Sequence, residues 1–441
     1  MEGKNKIKTK LRETEIGKIS EEWEELRISE VCDITSSKRI FLREYVKSGV
    51  PFYRSKEIIL KANNNEIVSP LFITEEKYQE IKTKFGVPQE GDILLTSVGT
   101  LGIPYCIGVN ERFYFKDGNL TWFKDYKRYL NNRFLLYWLR SPLAKRQIEM
   151  IAIGSTQRAL TIDALKKMVI CIPKYDEQCR IVKILSDLDS KIELHQKINK
   201  TLTAIGHAIF KHWFVDFESP HEGKPYKSSG GEMVDSELGE IPKGWNVIEN
   251  ISEICEKINY GYTQSASEKI VGPKFLRVTD INKGDWINWN NVPYCEIADK
   301  DLAKYILKKM DIVITRMADP GKIAIFESDM QAVFASYLIR IRFKNPLQAY
   351  YLYYLMKSRY YQNYILGAST GTVQKSLNAK GLTNGLSIVI PDEAILRKFN
   401  HVIILLREKV NTNLSENKNL SRIRDSFLPR LMSGRSRVSI G

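Results

Sequence analysis

The chain has 441 residues, 43% hydrophobic and 10% aromatic, too rich in Ile, Leu, Tyr and Phe to be disordered and long enough for several independent cores. Its 67 Lys and Arg against 52 Asp and Glu leave a net charge of +15, spread along the chain, which points to a polyanion: nucleic acid or an anionic membrane surface. No apolar run is long enough for a membrane span, and the polar Met1–Lys10 leads into no signal core.

In chain order, residues 1–175 read as a first domain. Within 21–173, short β-rich runs such as Asp92–Leu95 and Trp122-Phe123 are broken by Gly, Pro and Asn, with a helical patch at Asn132–Arg140. Residues 176–218 follow as a spacer helix, its proline-free part running from Asp176 to Phe214. Its heptad seam is Ile181, Leu185, Leu188, Ile192, His195, Asn199, Leu202, Gly206, Ile209 and Trp213. Residues 219–240, rich in Gly, Ser and Pro, read as a linker. The second domain, 241–391, holds the β-rich runs Ile312–Ile314, Ile323–Phe326 and Leu338–Phe343 and a helical patch at Leu347–Lys357. A second spacer helix occupies 392–434, with the seam Phe399, Ile403, Leu406, Val410, Asn413, Asn417, Leu420, Arg424, Phe427 and Leu431.

The chain repeats itself. Thr14–Trp23 matches Ser236–Trp245, 222 residues on. Phe52–Ile58 is echoed by Leu276–Ile281, setting Arg54 opposite Arg277, and Asp92–Thr96 is echoed by Asp311–Thr315. Val169–Pro173 matches Ser387–Pro391 at an offset of 218, which is also the offset between the two seams. Four matches in one order with slowly drifting offsets indicate a duplication. The fold expected is α+β: two similar domains of mixed helix and strand separated by two long helices, in a pseudo-twofold repeat. Each helix exposes an apolar stripe it cannot bury alone, so the two are expected to pair as an antiparallel coiled coil. Both seams turn polar at the same places, His195/Asn199 and Asn413/Asn417, which fits residues that fix register. Some 38 residues at 1.5 Å each would make a rod of roughly 57 Å.

Catalytic machinery is not apparent. No GxxxxGK[ST] loop, GxGxxG turn, Pro-Pro methyltransferase loop or HExxH motif occurs, and His207 and His212 are five apart rather than on one helix face. Six scattered cysteines without a CxxC pair support neither a zinc ribbon nor a disulfide framework; they read as reduced, mostly buried thiols of a cytoplasmic protein. Two diverged heads on a stiff spacer with positive charge suggest a reader of double-stranded DNA, whose equivalent groove faces recur about every 34–36 Å. Because the halves differ, the expected site is bipartite and asymmetric.

At this point the chain resembles the specificity subunits of type I restriction-modification systems. The resemblance spans nearly all of it. It rests chiefly on Phe210-Lys-His-Trp-Phe-Val-Asp-Phe-Glu218 and Arg424-Asp-Ser-Phe-Leu-Pro-Arg-Leu-Met-Ser-Gly434 at the helix ends. Gly239-Glu-Ile-Pro-Lys-Gly-Trp245, Gly91-Asp-Ile-Leu-Leu-Thr-Ser-Val-Gly99 and Gly154-Ser-Thr-Gln157 add to it; Ser20-Glu21-Glu22 departs where Pro-x-Gly is common, and Asp311–Gly321 diverges. The resemblance implies a noncatalytic subunit whose helices set half-site separation and dock two adenine-methyltransferase subunits, joined by restriction motor-nuclease subunits. S-adenosylmethionine, ATP and Mg2+ would belong to those partners, with no cofactor or metal on this chain, no membrane, and a cytoplasmic location.

Candidate DNA contacts are polar or cationic residues at matched loops of the two heads. They are Ser36, Ser37, Lys38, Arg39, Arg54, Ser97, Gln157 and Arg158 in the first, and Tyr260, Tyr262, Gln264, Arg277, Arg316, Gln374 and Lys375 in the second. Arg can read guanine and Gln adenine bidentately; a phosphate contact is the plainer role for any one of them. The alternatives are a stand-alone bipartite DNA binder, a module serving a fused nuclease-methyltransferase, and a coiled-coil scaffold without nucleic acid.

Overall fold

The computed structural model describes residues 10–155, 158–281, 286–317, 319–368 and 377–437. They fall into two units, Met1–Gln196 with Leu414–Gly441, and Lys197–Asn413. The sequence duplication is a duplication of strands. In the first unit a four-stranded antiparallel sheet has the order Asp33–Thr35, Leu120–Lys124, Ile93–Thr96, Pro104–Cys106. In the second it is Cys255–Tyr260, Leu338–Phe343, Ile312–Thr315, Ile323–Ile325, the counterparts in the same order. The register repeats too: Trp122 faces Leu94, and Arg340 faces Val313.

Beside each sheet lies a parallel pair, Val50–Tyr53 with Tyr114–Phe115 and Lys274–Leu276 with Ala332–Phe334. Each domain closes by pairing its first and last strands, Glu24–Arg27 with Val169–Ile172 and Asn246–Ile248 with Ile388–Ile390. The expected linker contains two small hairpins. The second, Met233–Ser236 with Gly239–Pro242, repeats Leu11–Thr14 with Gly17–Ser20, so regular structure resumes before residue 241.

The Asp-x-x-x-Thr string of both sheets works at its two ends. Asp92 accepts the backbone N–H of Gln89 (2.9 Å) and the Trp122 indole N–H (2.8 Å), while Asp311 accepts the Lys308 N–H (2.8 Å) and the Arg342 guanidinium (2.6 and 2.7 Å). Thr96 and Thr315 accept the N–H groups of Ile103 and Lys322, pinning the hairpin that follows. Burial holds the Asp92 carboxyl above its ordinary value, and its two donors offset only part of that rise.

The patch Asn132–Arg140 is a helix as expected. Asn131 caps it through the N–H groups of Arg133 and Phe134, and Ser141 with Pro142 starts the next helix, Pro142–Ile151. Phe134 to Leu139 are all buried, making this helix the centre of the first core. Its counterpart Gln348–Lys357 is buried through Met356 and carries Tyr350, Tyr351, Tyr353 and Tyr354.

The long helices run Tyr175–Phe210 and Glu393–Met432. In the first unit Asp189 meets Arg424 and His195 meets Asn417; in the second Asn199 meets Asn413 and Phe210 meets Phe399. Numbers fall along one helix as they rise along the other, so the pairing is antiparallel in both units. Ile181, Leu185, Ile192, Phe399, Ile403 and Val410 are buried, and Leu188, Leu202, Ile209, Leu406 and Leu420 are partly covered. Phe427 departs from the expected seam. It is 39% exposed, and Leu428 takes the inward place, because a helix of 3.6 residues per turn drifts off a strict heptad. The first helix ends in a π-type turn at Lys211–Val215, which turns Phe214 onto Phe399, ring centroids 4.8 Å apart. The second helix continues through Pro429 to Met432. All six cysteines are free; three are buried (Cys32, Cys171, Cys295) and three are partly exposed, so burial is less general than expected.

Candidate nucleic-acid interface

In the first unit the candidates gather round one turn, Lys116–Asn119, which links the parallel pair to the sheet. Ser36 Oγ donates to the Leu120 carbonyl (3.3 Å), and the Lys38 N–H donates to the Tyr114 hydroxyl (2.7 Å). Arg39 reaches Asp117 at 2.9 Å with most of its side chain in solvent. The Ser97 N–H donates to the Asn119 carbonyl (2.8 Å), and the Gly99 N–H to the Arg158 carbonyl (3.2 Å). The Arg158 side chain reaches the Glu149 carbonyl at 3.1 Å. Loops from four parts of the chain thus form one end of the domain.

Two candidates there need correction. Ser97 is 2% exposed, its hydroxyl 2.6 Å from that of Thr121, so it shapes the loop and cannot touch a ligand. Ser37 is 9% exposed and offers little more.

The second unit assembles the equivalent loops from different residues. The backbone N–H groups of Tyr262 and Ser336 donate to Phe334 and Tyr262, the Arg316 N–H donates to the Tyr337 carbonyl (3.0 Å), and the Leu377 N–H donates to the Arg316 carbonyl (2.9 Å). Arg316 lies 4.6 Å above the Tyr260 ring, a cation–π contact that orients the half-buried guanidinium against this loop. The Tyr260 hydroxyl accepts the Ala379 N–H at 3.1 Å. Gln264 sits further along the same loop, its amide 3.5 Å from the Glu296 carbonyl. Gln157, Gln374 and Lys375 lie outside the described residues.

Arg54 and Arg277 are true counterparts. Each precedes a short helix and grips the carboxylate three residues on, Arg54 to Glu57 (2.8 Å) and Arg277 to Asp280 (3.1 Å). Both carboxylates are 3% exposed, whereas the guanidinium side chains are 40% and 34% exposed. Each arginine is therefore oriented from beneath while its outer N–H groups stay open. Burial alone would raise the Glu57 carboxyl, but the hydrogen bonds from Arg54 hold it below its ordinary value.

The sequence reading missed the turns that organise both sites. Asp117-Gly118 is a turn signal between the apolar Tyr114-Phe115 and Leu120, but those flanks belong to different sheets, so no simple hairpin pattern marked it. In the second unit Tyr337, 55% exposed at the matching turn, is the missed residue. The resulting surfaces present guanidinium, ammonium, hydroxyl and amide donors with few carboxylates. Such groups suit phosphates and base edges. Among the described residues no three His, Cys, Asp or Glu side chains converge as a metal site would require, and no helix is long and apolar enough to cross a membrane.

This arrangement defines a class: a duplicated protein with two homologous, differently surfaced binding domains, each joined to a segment of paired antiparallel helices. A family profile described as "Type I restriction modification DNA specificity domain" matches residues 20–204 and 242–412. The chain belongs to that type I restriction-modification specificity family. It is 28% identical to the type I restriction enzyme MjaIX specificity subunit of Methanocaldococcus jannaschii over 98% of this chain and 97% of that one. It is 25% identical to the HindI specificity subunit of Haemophilus influenzae, over 68% and 76% of the two chains. The crystal structure of a type I restriction-modification S subunit from M. genitalium superposes with a TM-score of 0.54 at 17% identity, covering 99% of this chain and all of that one, and so shares the fold.

Proposed function

We propose that this chain is the noncatalytic DNA-reading subunit of a type I restriction-modification complex, acting in the cytoplasm on double-stranded DNA. The observation that carries the reading is the repeated loop cluster. One scaffold presents Arg39, Arg54 and Arg158 in one head, and Tyr260, Arg277, Arg316 and Tyr337 in the other. Apart from the shared Arg54 and Arg277, the matched loops carry unlike side chains, which would read unlike half-sites and give a bipartite asymmetric target with an unread spacer. The paired helices would dock two methyltransferase subunits, and restriction motor-nuclease subunits would complete the assembly. S-adenosylmethionine, ATP and Mg2+ would act on those partners, where the target base is flipped.

The test is co-expression with a cognate methyltransferase and mapping of N6-methyladenine across host DNA. One asymmetric bipartite motif that disappears when this gene is deleted supports the reading. Methylation whose motif does not depend on this chain would favour a stand-alone DNA binder.

A further inference from the structure

Asp189 on the first long helix and Arg407 on the second are counterparts at the 218-residue offset, yet they carry opposite charge. Both are largely buried against the recognition domain of their own unit. Asp189 accepts from the Tyr137 hydroxyl (2.9 Å) and Arg140 (3.3 Å), both on the helix Asn132–Arg140, and from Arg424 (2.8 Å). Arg407 donates two bonds to Glu327 (2.5 and 2.6 Å), and Glu327 also accepts from the Tyr350 hydroxyl (2.8 Å). The guanidinium lies 5.0 Å from the Tyr353 ring. The side chains of Arg407 and Glu327 are 15% and 16% exposed, and that of Asp189 is 18% exposed. So the same helical position is an anion held by Arg140 of its domain together with Arg424 of the second helix in one unit, and a cation held by Glu327 of its domain in the other.

We propose that Asp189 and Arg407 are positioning residues of opposite polarity that key each recognition domain to its own helix segment. A buried charge left facing its own sign is costly, so each domain fits one helix and is rejected by the other. With residues 243–391 placed where 21–173 stand, Glu327 would face Asp189. The inference concerns assembly of the chain and does not need the DNA-reading function.

The test is to measure one substitution in two backgrounds. In the native chain Asp189→Arg sets a third cation beside Arg140 and Arg424, and the melting midpoint should fall, by on the order of 10 °C. In the chimera carrying residues 243–391 in both places Arg424 remains, so the substitution is made there on top of Arg424→Gln, and it should raise the midpoint above that of Arg424→Gln alone, because the introduced guanidinium would meet Glu327. A purely local structural role for Asp189 gives the same sign in both, and that result overturns the proposal. If the chimera does not fold, Arg407→Glu and the charge-swapped Glu327→Arg/Arg407→Glu chain are compared in the native background. Recovery of most of the lost stability by the swap supports the keying, and no recovery overturns it.

Discussion

At the scale of single residues, the arginines of the two heads divide into those anchored on a buried carboxylate and those paired while mostly in solvent. Arg39 is 69% exposed, so Arg39→Ala should leave stability within about 0.5 kcal/mol of the parent while weakening DNA binding. Arg54→Ala differs, because it strands a carboxylate that is 3% exposed; unfolding free energy and DNA binding should fall together, measured by denaturant titration and by binding of the assembled complex. Glu57→Gln isolates the support from the reader. The Glu57 carboxyl sits below its ordinary value, so its contribution is complete above the unfolded carboxylate pKa and is lost as pH falls through the lower folded one. The variant should therefore be less stable by about 1–2 kcal/mol at pH 7, and the gap should close as the pH is taken below the ordinary carboxylate range. Sequence alone aligned Arg54 with Arg277, since both stand at the start of a repeated string. It could not tell Ser97 from an exposed serine, because the Thr121 partner lies on a neighbouring strand.

At the scale of elements, the long helices were the most legible part, since a seam repeated 218 residues apart is a strong period signal. What periodicity could not give was the pairing of the polar positions. His195 Nδ1 lies 2.9 Å from Asn417 Oδ1, and Asn413 donates to Asn199 at 2.7 Å. Asn199 and Asn413 are 1% and 0% exposed, so Asn413→Ala leaves a buried amide without its partner and should cost about 1–3 kcal/mol. Replacing both by Leu should recover that loss or exceed it while weakening control of register; thermal denaturation measures the first effect and disulfide trapping of shifted pairings the second. Gly206 is a second case where the seam hides a reason. A Cβ there would overlap the Tyr354 hydroxyl, so Gly206→Ala, ordinarily favourable in a helix by roughly 1 kcal/mol, should instead lower the melting midpoint. The strands were less legible. Runs such as Ile312–Thr315 are buried on both faces, which removes the alternation that marks a half-exposed strand.

At the scale of the whole molecule, the duplication and the positive charge together made the binding class readable, whereas the bases read remain a property of loop geometry. Exchange of residues 21–173 for the equivalent domain of a relative should alter one half of the methylated motif and leave the other unchanged. Altered methylation at both halves would sink the modular view. Because phosphate neutralisation releases counterions, affinity of the assembled complex should fall steeply and linearly on logarithmic salt axes.

The hairpin that opens the chain does not stand alone. The Ser20 N–H donates to the Ser433 carbonyl (3.0 Å), Arg437 reaches Glu22 at 2.5 Å, and a Cβ on Gly434 would crowd Ser20 and Trp23. In the other half the corresponding hairpin follows its helix through the ordinary run of the backbone. Within the first unit the opening hairpin and the end of the second long helix are thus held side by side by noncovalent contacts, and a covalent link can replace them. A peptide link from beyond Arg437 to Leu11, with a new opening at the exposed Glu222-Gly223 turn, should give a permuted chain that folds and keeps both heads.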